Sequence, residues 1–358
     1  MEKLESTFHA LHDVFDHAFH PTHHVYSEAH TKGKNSCFDP SAEGASPPRT
    51  RSTNRLDDEL NHFGTVIHDG LSASDDHVEL AGGITFENVE RDIFLRFRTT
   101  LGVSQAEYIN SMSKLNGGKT EASGKSGSLF WFSEDKRYVL KSIADDELET
   151  LIDILPRYVA HFEDAASEGR LCLLTRFYGA YCISSGSKKI RLIAMNNCMG
   201  VGKPERAYDL KGTTEDRYVE EEDGKVMKDL NYEDTEVRLE AGMADSILEA
   251  VEADTAFLMQ ENIMDYSLLL GVFDPQTQKT PTDLAPTYKG SELCDDEVKP
   301  AEFRMGIIDI LVRYSLKKKA AHWLKKPTLG LCCGEEIDTE PPDYYQERFA
   351  HSMTEKIV

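Results

Sequence analysis

Three charged side chains stand where a charge is expensive to place. Lys141 lies between Val139 and Ile143 in an apolar run, on one face by strand alternation, and a lysine there must be paired or face a cleft. Asp265 stands at the mouth of the apolar run 266–270, and Asp309 divides Gly306-Ile307-Ile308 from Ile310-Leu311. One cation and two carboxylates at strand ends match the demands of phosphoryl transfer: a lysine for phosphate oxygens, carboxylates for Mg²⁺ and for the attacking group. The run Asp209-Leu210-Lys211-Gly212-Thr213 adds an acid, a base and a hydroxyl on a glycine-broken turn. The bland alternative is an edge lysine reaching to solvent and two turn-capping aspartates.

Upstream of Lys141, Gly124-Lys125-Ser126-Gly127-Ser128 ends like a Walker P-loop. The spacing refutes that motif, because position 119 is Lys119 and Gly118 comes one residue too early. The protein-kinase loop G-x-G-x-x-G is not met either. What remains is a small turn, rich in backbone N–H groups that can cover phosphates, entering a hairpin.

The elements that must position these residues follow from periodicity. Strands at 128–132 and 137–143 flank the turn Ser133-Glu134-Asp135-Lys136, so Lys141 falls on the second strand of a hairpin. Leu148, Leu151, Ile152, Leu155, Val159 and Phe162 then recur at three-and-four spacing, which predicts a helix, with a kink or break at Pro156. That helix offers Glu147 and Glu149 as partners for Lys141. Phe94, Leu95, Phe97 and Leu101 predict an earlier short helix. Further strands are expected at 190–195, 267–273 and 303–311, with a helix at 244–260. No internal repeat is visible.

The rest of the chain bounds the function. At 358 residues it can bury a core without disulfide or metal staples, and 40% hydrophobic against 29% charged residues is a globular balance. A formal charge of −23 argues against nucleic acid as a partner. Neither an apolar run of membrane-spanning length nor a secretory start is visible, so a chain that stays in the cytosol is expected. The seven cysteines are scattered without a Cys-x-x-Cys and read as reduced packing residues. Residues 1–83 read as a weakly ordered arm and linker, His-rich over 1–30, where chance spacing explains the histidines better than a metal site does.

Taken in order, Ser126-Gly127-Ser128, Tyr138-Val139-Leu140-Lys141, Met195-Asn196-Asn197, Tyr208-Asp209-Leu210-Lys211-Gly212, Ile263-Met264-Asp265-Tyr266-Ser267-Leu268-Leu269, Gly306-Ile307-Ile308-Asp309-Ile310-Leu311 and Pro341-Pro342 through Tyr345 to Arg348-Phe349 form a series. That series resembles the phosphatidylinositol phosphate kinase family over about three quarters of the chain. The resemblance implies an α+β, two-lobed lipid-kinase fold, distantly protein-kinase-like, with an antiparallel sheet and flanking helices in each lobe. It implies a catalytic domain over 84–355, an N-lobe at about 84–195, a C-lobe at about 196–355 and an activation loop at about 310–342. By the same resemblance Lys141 holds the ATP phosphates, Ser126, Gly127 and Ser128 cover them, and Asn196-Asn197 lie at the hinge near adenine. Asp265 becomes the catalytic-loop carboxylate, Asp309 the Mg²⁺ ligand with Asp265 beside it, and Asp209 and Lys211 active-site members. Thr213 departs from the family's usual serine while keeping the hydroxyl, and Pro156 interrupts a helix normally free of proline.

The substrate implied is a phosphatidylinositol monophosphate, and the product the 4,5-bisphosphate. Between Asp309 and Glu335 there is no acid, and Arg313, Lys317, Lys318, Lys319, Lys325 and Lys326 fall in that gap. Read as a helix, Leu316, Ala320, Trp323 and Leu324 form an apolar stripe beside lysines, the pattern of a segment lying on an anionic membrane surface. The resemblance places the substrate-choosing activation loop there, on the cytoplasmic face of a membrane such as the plasma membrane. It also leaves a homodimer open. Ala321 stands where the family's 5-kinases have glutamate and its 4-kinases alanine, which points to the 5-phosphate lipid as substrate. A lipid-binding scaffold without catalysis would use the same fold and basic loop, but needs none of Lys141, Asp265 and Asp309.

Overall fold

The computed structural model describes residues 51–117, 128–220, 225–232, 235–276, 285–294, 297–314 and 340–358. Within them the chain runs α1 (Arg51–Ser72), β1 (His77–Leu80), β2 (Ile84–Val89), α2 (Arg91–Thr100), α3 (Gln105–Met112), β3 (Leu115–Gly117), β4 (Phe130–Ser133), β5 (Tyr138–Ser142), α4 (Asp145–Glu168), β6 (Phe177–Ser185) and β7 (Lys188–Asn196). It continues through β8 (Arg206–Leu210), a 3₁₀ turn (Asp229–Tyr232), β9 (Thr235–Leu239), α5 (Met243–Gln260), β10 (Ser267–Phe273), β11 (Tyr288–Cys294), β12 (Glu297–Ile308) and α6 (Pro342–Lys356). The strands form two antiparallel sheets, ordered β1-β2-β6-β7-β5-β4-β3 and β8-β10-β12-β11-β9. The expected α+β class with antiparallel sheets and flanking helices is the class observed.

The first sheet is covered on both faces. Tyr181, Ile183, Leu192 and Ala194 join one core with Phe63, Val66 and Ile67 of α1 and Tyr108 and Met112 of α3. Their alternates Ala180, Cys182 and Ile193 join the other core with Phe94 and Phe97 of α2, Leu151 and Leu155 of α4, and the residues of the second sheet. This explains why β6 and β7 read as near-continuous apolar runs.

Several expectations are corrected. Residues 51–80 are not linker: α1 buries Phe63, Ile67 and Leu71, and its Gly70 lets the Phe86 ring so close that a Cβ there would lie 2.2 Å from it. Asn88 fastens the contact by donating to the Gly70 carbonyl at 3.1 Å. Apolar residues in α1 are few because only one stripe is buried, and that sparseness hid the helix. Of the kink or break expected at Pro156, the break does not occur; α4 is continuous across it. Pro156 and Ile152 lie on the exposed side, where the carbonyl that loses its amide donor faces water. The His-rich stretch 1–30 lies outside the described residues. No described helix is long and apolar enough to cross a membrane.

Between the sheets, the 197–205 connection is pinned by one cation. Arg304 on β12, fully buried, donates to the carbonyls of Met199 at 2.5 Å and Val201 at 2.6 Å and stacks on Phe273 at 4.2 Å. A buried guanidinium is tolerable because carbonyls replace its water.

Candidate active site

Strand register brings the chemistry together. In the antiparallel pair β10–β12, Ser267 opposes Ile308, so Asp265, just before β10, and Asp309, just after β12, emerge at the same end of the sheet. In the pair β8–β10, Leu268 opposes Leu210, which delivers Lys211 to that end as well. Lys211 Nζ is ion-paired with Asp265. From the first sheet, Lys141 on β5 opposes Ile193, sharing the face that turns toward the second sheet, and its Nζ donates to Asp309 Oδ1 at 2.7 Å. The lysine is buried and the aspartate half-exposed.

Both aspartates adopt left-handed backbone, φ 65° at Asp265 and 60° at Asp309, a region that residues with a Cβ enter only when the surroundings hold them. The holding contacts are visible. Asn262, also left-handed, gives its carbonyl to the N–H of Tyr314 at 2.8 Å, and the Met264 N–H donates to the Val312 carbonyl at 2.9 Å. Segment 262–264 is thereby laced to segment 312–314, on the far sides of the two carboxylates. Tyr345 of α6 donates its hydroxyl to the Tyr266 carbonyl at 2.5 Å, and Tyr266 packs edge-on against Tyr345 and Phe349. That packing is the physical content of the spacing from Pro341 to Phe349.

The turn carrying Lys211 has its own anchor, Asp229, which the sequence reading missed. Buried on the 3₁₀ turn, its carboxylate accepts the N–H of Lys211 at 3.1 Å, the N–H of Gly212 at 2.8 Å and Arg217 Nε at 2.8 Å. Arg217 also pairs with Asp209 at 3.2 Å; burial works against its charge, yet Asp209 and Asp229 together raise its pKa above the usual arginine value. Gly212 is required by its φ of 71° and by α6, since a Cβ there would approach Ser352 Cβ to 2.9 Å. Beside this turn Arg348 pairs with Glu340 and lies over the Tyr345 ring at 4.7 Å, lining with Lys211, Thr213 and Asp265 a small cleft. No local pattern marks Asp229 or Arg217, because their partners are backbone N–H groups and carboxylates fixed only by the fold.

Some expected members are placed differently. Lys141 is ion-paired with Asp309 rather than with either helix glutamate. Glu147 instead accepts the N–H of Ala144 at 2.8 Å, capping α4, and Glu149 is on the solvent face. The Asn196 and Asn197 amides are committed to backbone around the end of β7: Asn196 Oδ1 accepts the Arg176 N–H at 2.8 Å, and Asn197 Nδ2 donates to the Lys136 carbonyl at 2.9 Å and the Gly200 carbonyl at 3.2 Å. They shape the connection rather than project from it. Ser128 lies two residues before β4, while Ser126 and Gly127 lie outside the described residues, as do Lys317, Lys318, Lys319, Ala321, Trp323, Lys325 and Lys326.

The family model described as Phosphatidylinositol-4-phosphate 5-Kinase matches residues 112–299 and 282–356 of this chain. A probable phosphatidylinositol phosphate kinase of Dictyostelium discoideum is 28% identical over 350 residues, covering 76% of this chain and 48% of the relative. Phosphatidylinositol 4-phosphate 5-kinase type-1 alpha of Homo sapiens is 27% identical over 310 residues, covering 74% of this chain and 54% of the relative. Phosphatidylinositol 4-phosphate 5-kinase 7 of Arabidopsis thaliana is 35% identical over 188 residues, covering 50% of this chain and 24% of the relative. The chain thus spans about half the length, or less, of these curated relatives.

Proposed function

The chain belongs to the phosphatidylinositol phosphate kinase family, and on that premise we propose that it transfers the γ-phosphate of ATP to a free inositol hydroxyl of a phosphatidylinositol monophosphate, yielding phosphatidylinositol 4,5-bisphosphate. The observation that carries this reading is the convergence of Lys211, Asp265 and Asp309 at one end of the second sheet, with Lys141 reaching across from the first.

In that reading the two lysines hold phosphate oxygens that the carboxylates stand in for here. Asp265, fixed by its left-handed backbone and by Lys211, orients the attacking hydroxyl and takes its proton as the bond from the γ-phosphorus to the ADP oxygen breaks. Asp265 and Asp309 offer hard oxygen donors, 38% and 47% exposed, which suits an ion that keeps several waters and needs only one or two carboxylates. Bound there, Mg²⁺ would neutralise charge on the phosphates. Ser126, Gly127 and Ser128 would cover the triphosphate, and the basic segment after Asp309 would dock on an anionic membrane at the cytoplasmic face.

A non-catalytic phosphoinositide scaffold would leave this arrangement without a purpose. The position phosphorylated has two arguments: Ala321 favours the 5-phosphate lipid, whereas relatives named as 4-phosphate 5-kinases favour the 4-phosphate. The test is radiolabelled ATP with separate vesicles of each monophosphate, followed by identification of the product isomer. Transfer to either supports the kinase reading, and binding without transfer supports the scaffold. If the 5-phosphate is preferred and Ala321→Glu moves preference toward the 4-phosphate, Ala321 is the determinant. If wild type uses the 4-phosphate efficiently, the enzyme is a 5-kinase despite Ala321.

A further inference from the structure

Away from the cluster around Lys141 and Asp309, three side chains with metal-binding donor atoms converge where α4 meets α5. His161 comes from α4, Cys172 from the segment that follows it, and Asp254 from α5; one ligand atom of each lies within 4.8 Å of the other two. Asp254 is fully buried, with Oδ1 2.6 Å from His161 Nε2 and Oδ2 accepting the N–H of Leu173 at 2.6 Å. The His161 ring is held by stacking on Phe257 at 4.8 Å. Cys172 is a free thiol, and both it and His161 are partly exposed, so an ion has a way in.

A buried carboxylate is satisfied by a histidine and a backbone N–H, and such a pair requires no thiol. The Cys172 thiol also hydrogen-bonds the Asp254 carboxylate, so nitrogen, sulfur and oxygen donors are already gathered within 4.8 Å of one another. One nitrogen, one sulfur and one oxygen suit Zn²⁺, which can take a water as its fourth ligand; Mg²⁺ and Ca²⁺ prefer oxygen throughout. The Leu173 N–H already supplies the outer contact that orients a ligating carboxylate. The carboxylate and imidazole now share a hydrogen bond, so an ion would take the place of that proton, with a small shift of the ring.

We propose that His161, Cys172 and Asp254 form a Zn²⁺ site that ties α4 to α5 across the junction of the two sheets. The segment it would clamp is continuous with the catalytic end of β12: the Leu173 carbonyl accepts the Ile307 N–H at 2.7 Å, and the Thr175 N–H donates to the Ile307 carbonyl at 2.8 Å. A bound ion would therefore stiffen the strand end that presents Asp309.

The test uses the full chain, stripped with a chelator and titrated with Co²⁺ as a spectroscopic probe and with Zn²⁺ in competition. Expected are a thiolate-to-cobalt charge-transfer band saturating at one equivalent, its loss in Cys172→Ser, and a drop in affinity of about tenfold or more in His161→Gln. A band that survives both variants, or no thiolate band, overturns the proposal; binding through imidazoles of the 1–30 stretch gives no such band. A measurement needing no variant is alkylation of Cys172 in wild type, read by mass spectrometry. Zn²⁺ should slow it, and equal rates with and without Zn²⁺ would rule the site out.

Discussion

Asp309 and Asp229 are both carboxylates near the cluster of Lys141, Lys211 and Asp265, and they invite different predictions. Asp309 is 47% exposed but its ion-pair partner Lys141 is buried, so replacing it costs the fold about 1 to 3 kcal/mol, more than an exposed pair would. In the proposed reaction, as a phosphate and metal partner, its charge would be worth far more. Asp309→Asn should lower lipid phosphorylation by about a thousandfold or more while the chain stays folded at assay temperature, its melting temperature falling by only a few degrees. A mutant keeping most of its rate would remove Asp309 from the site. Asp229 is buried and serves the Lys211 turn by accepting backbone and guanidinium donors. Asp229→Asn removes the negative charge facing Arg217 and one acceptor, and should cost about 2 to 3 kcal/mol in chemical denaturation, Asp209 retaining part of the pairing. Turnover should fall about tenfold with it, because Lys211 loses its fixed position. Wild-type stability together with wild-type turnover would show that Asp229 does not set the turn.

The hairpin β4–β5 is the element that presents Lys141, and its turn is closed by Asp135. Burial works against ionisation of this carboxyl, yet the hydroxyls of Ser133 and Ser111, at 2.6 Å and 2.8 Å, and the N–H of Arg137 at 3.2 Å hold its pKa below the ordinary carboxylate value. A depressed folded-state pKa means stability that is present above the unfolded value, near 4, and lost as pH falls through the folded value. The stability gap between wild type and Asp135→Asn should therefore be full at about pH 6 and shrink by about pH 3. A gap independent of pH would show that the hydroxyl contacts do not depend on the charge. The helix that follows tolerates Pro156 for a related reason of exposure: its lost amide sits on the wet side of α4, while Leu151, Leu155 and Tyr158 stay packed on the dry side.

At the scale of the whole molecule, a chain of charge −23 approaching an anionic membrane is repelled everywhere except where positive charge is concentrated. The stretch from Arg313 to Lys326 is the place in the sequence where that sign reverses over a long acid-free run. Neutralising Lys317, Lys318 and Lys319 together should weaken vesicle binding by about 1 kcal/mol per lysine, and wild-type binding should fall as salt shortens the screening length toward about 8 Å. The readout is sedimentation with anionic vesicles at several salt concentrations. Salt-independent binding by wild type would point to the apolar stripe instead.

Sequence alone determined the elements whose apolar periodicity is strong and local: the hairpin around Lys141, the amphipathic α4, the strands β7 and β10, and α5. It also singled out Lys141, Asp265 and Asp309 as candidates, because they stand in apolar runs where charge is costly, and the fold gathers them at one place. Tertiary structure decided the rest. The strand β6 and the helix α1 escaped notice because one is buried on both faces and the other on a narrow stripe. That Lys141 meets Asp309, while Glu147 caps its own helix, depended on how the two sheets face each other. That Asp229 anchors the Lys211 turn depended on donors brought to it from β8 and the loop beyond. Such contacts leave no period in the sequence, since distant segments meet only once the cores have closed.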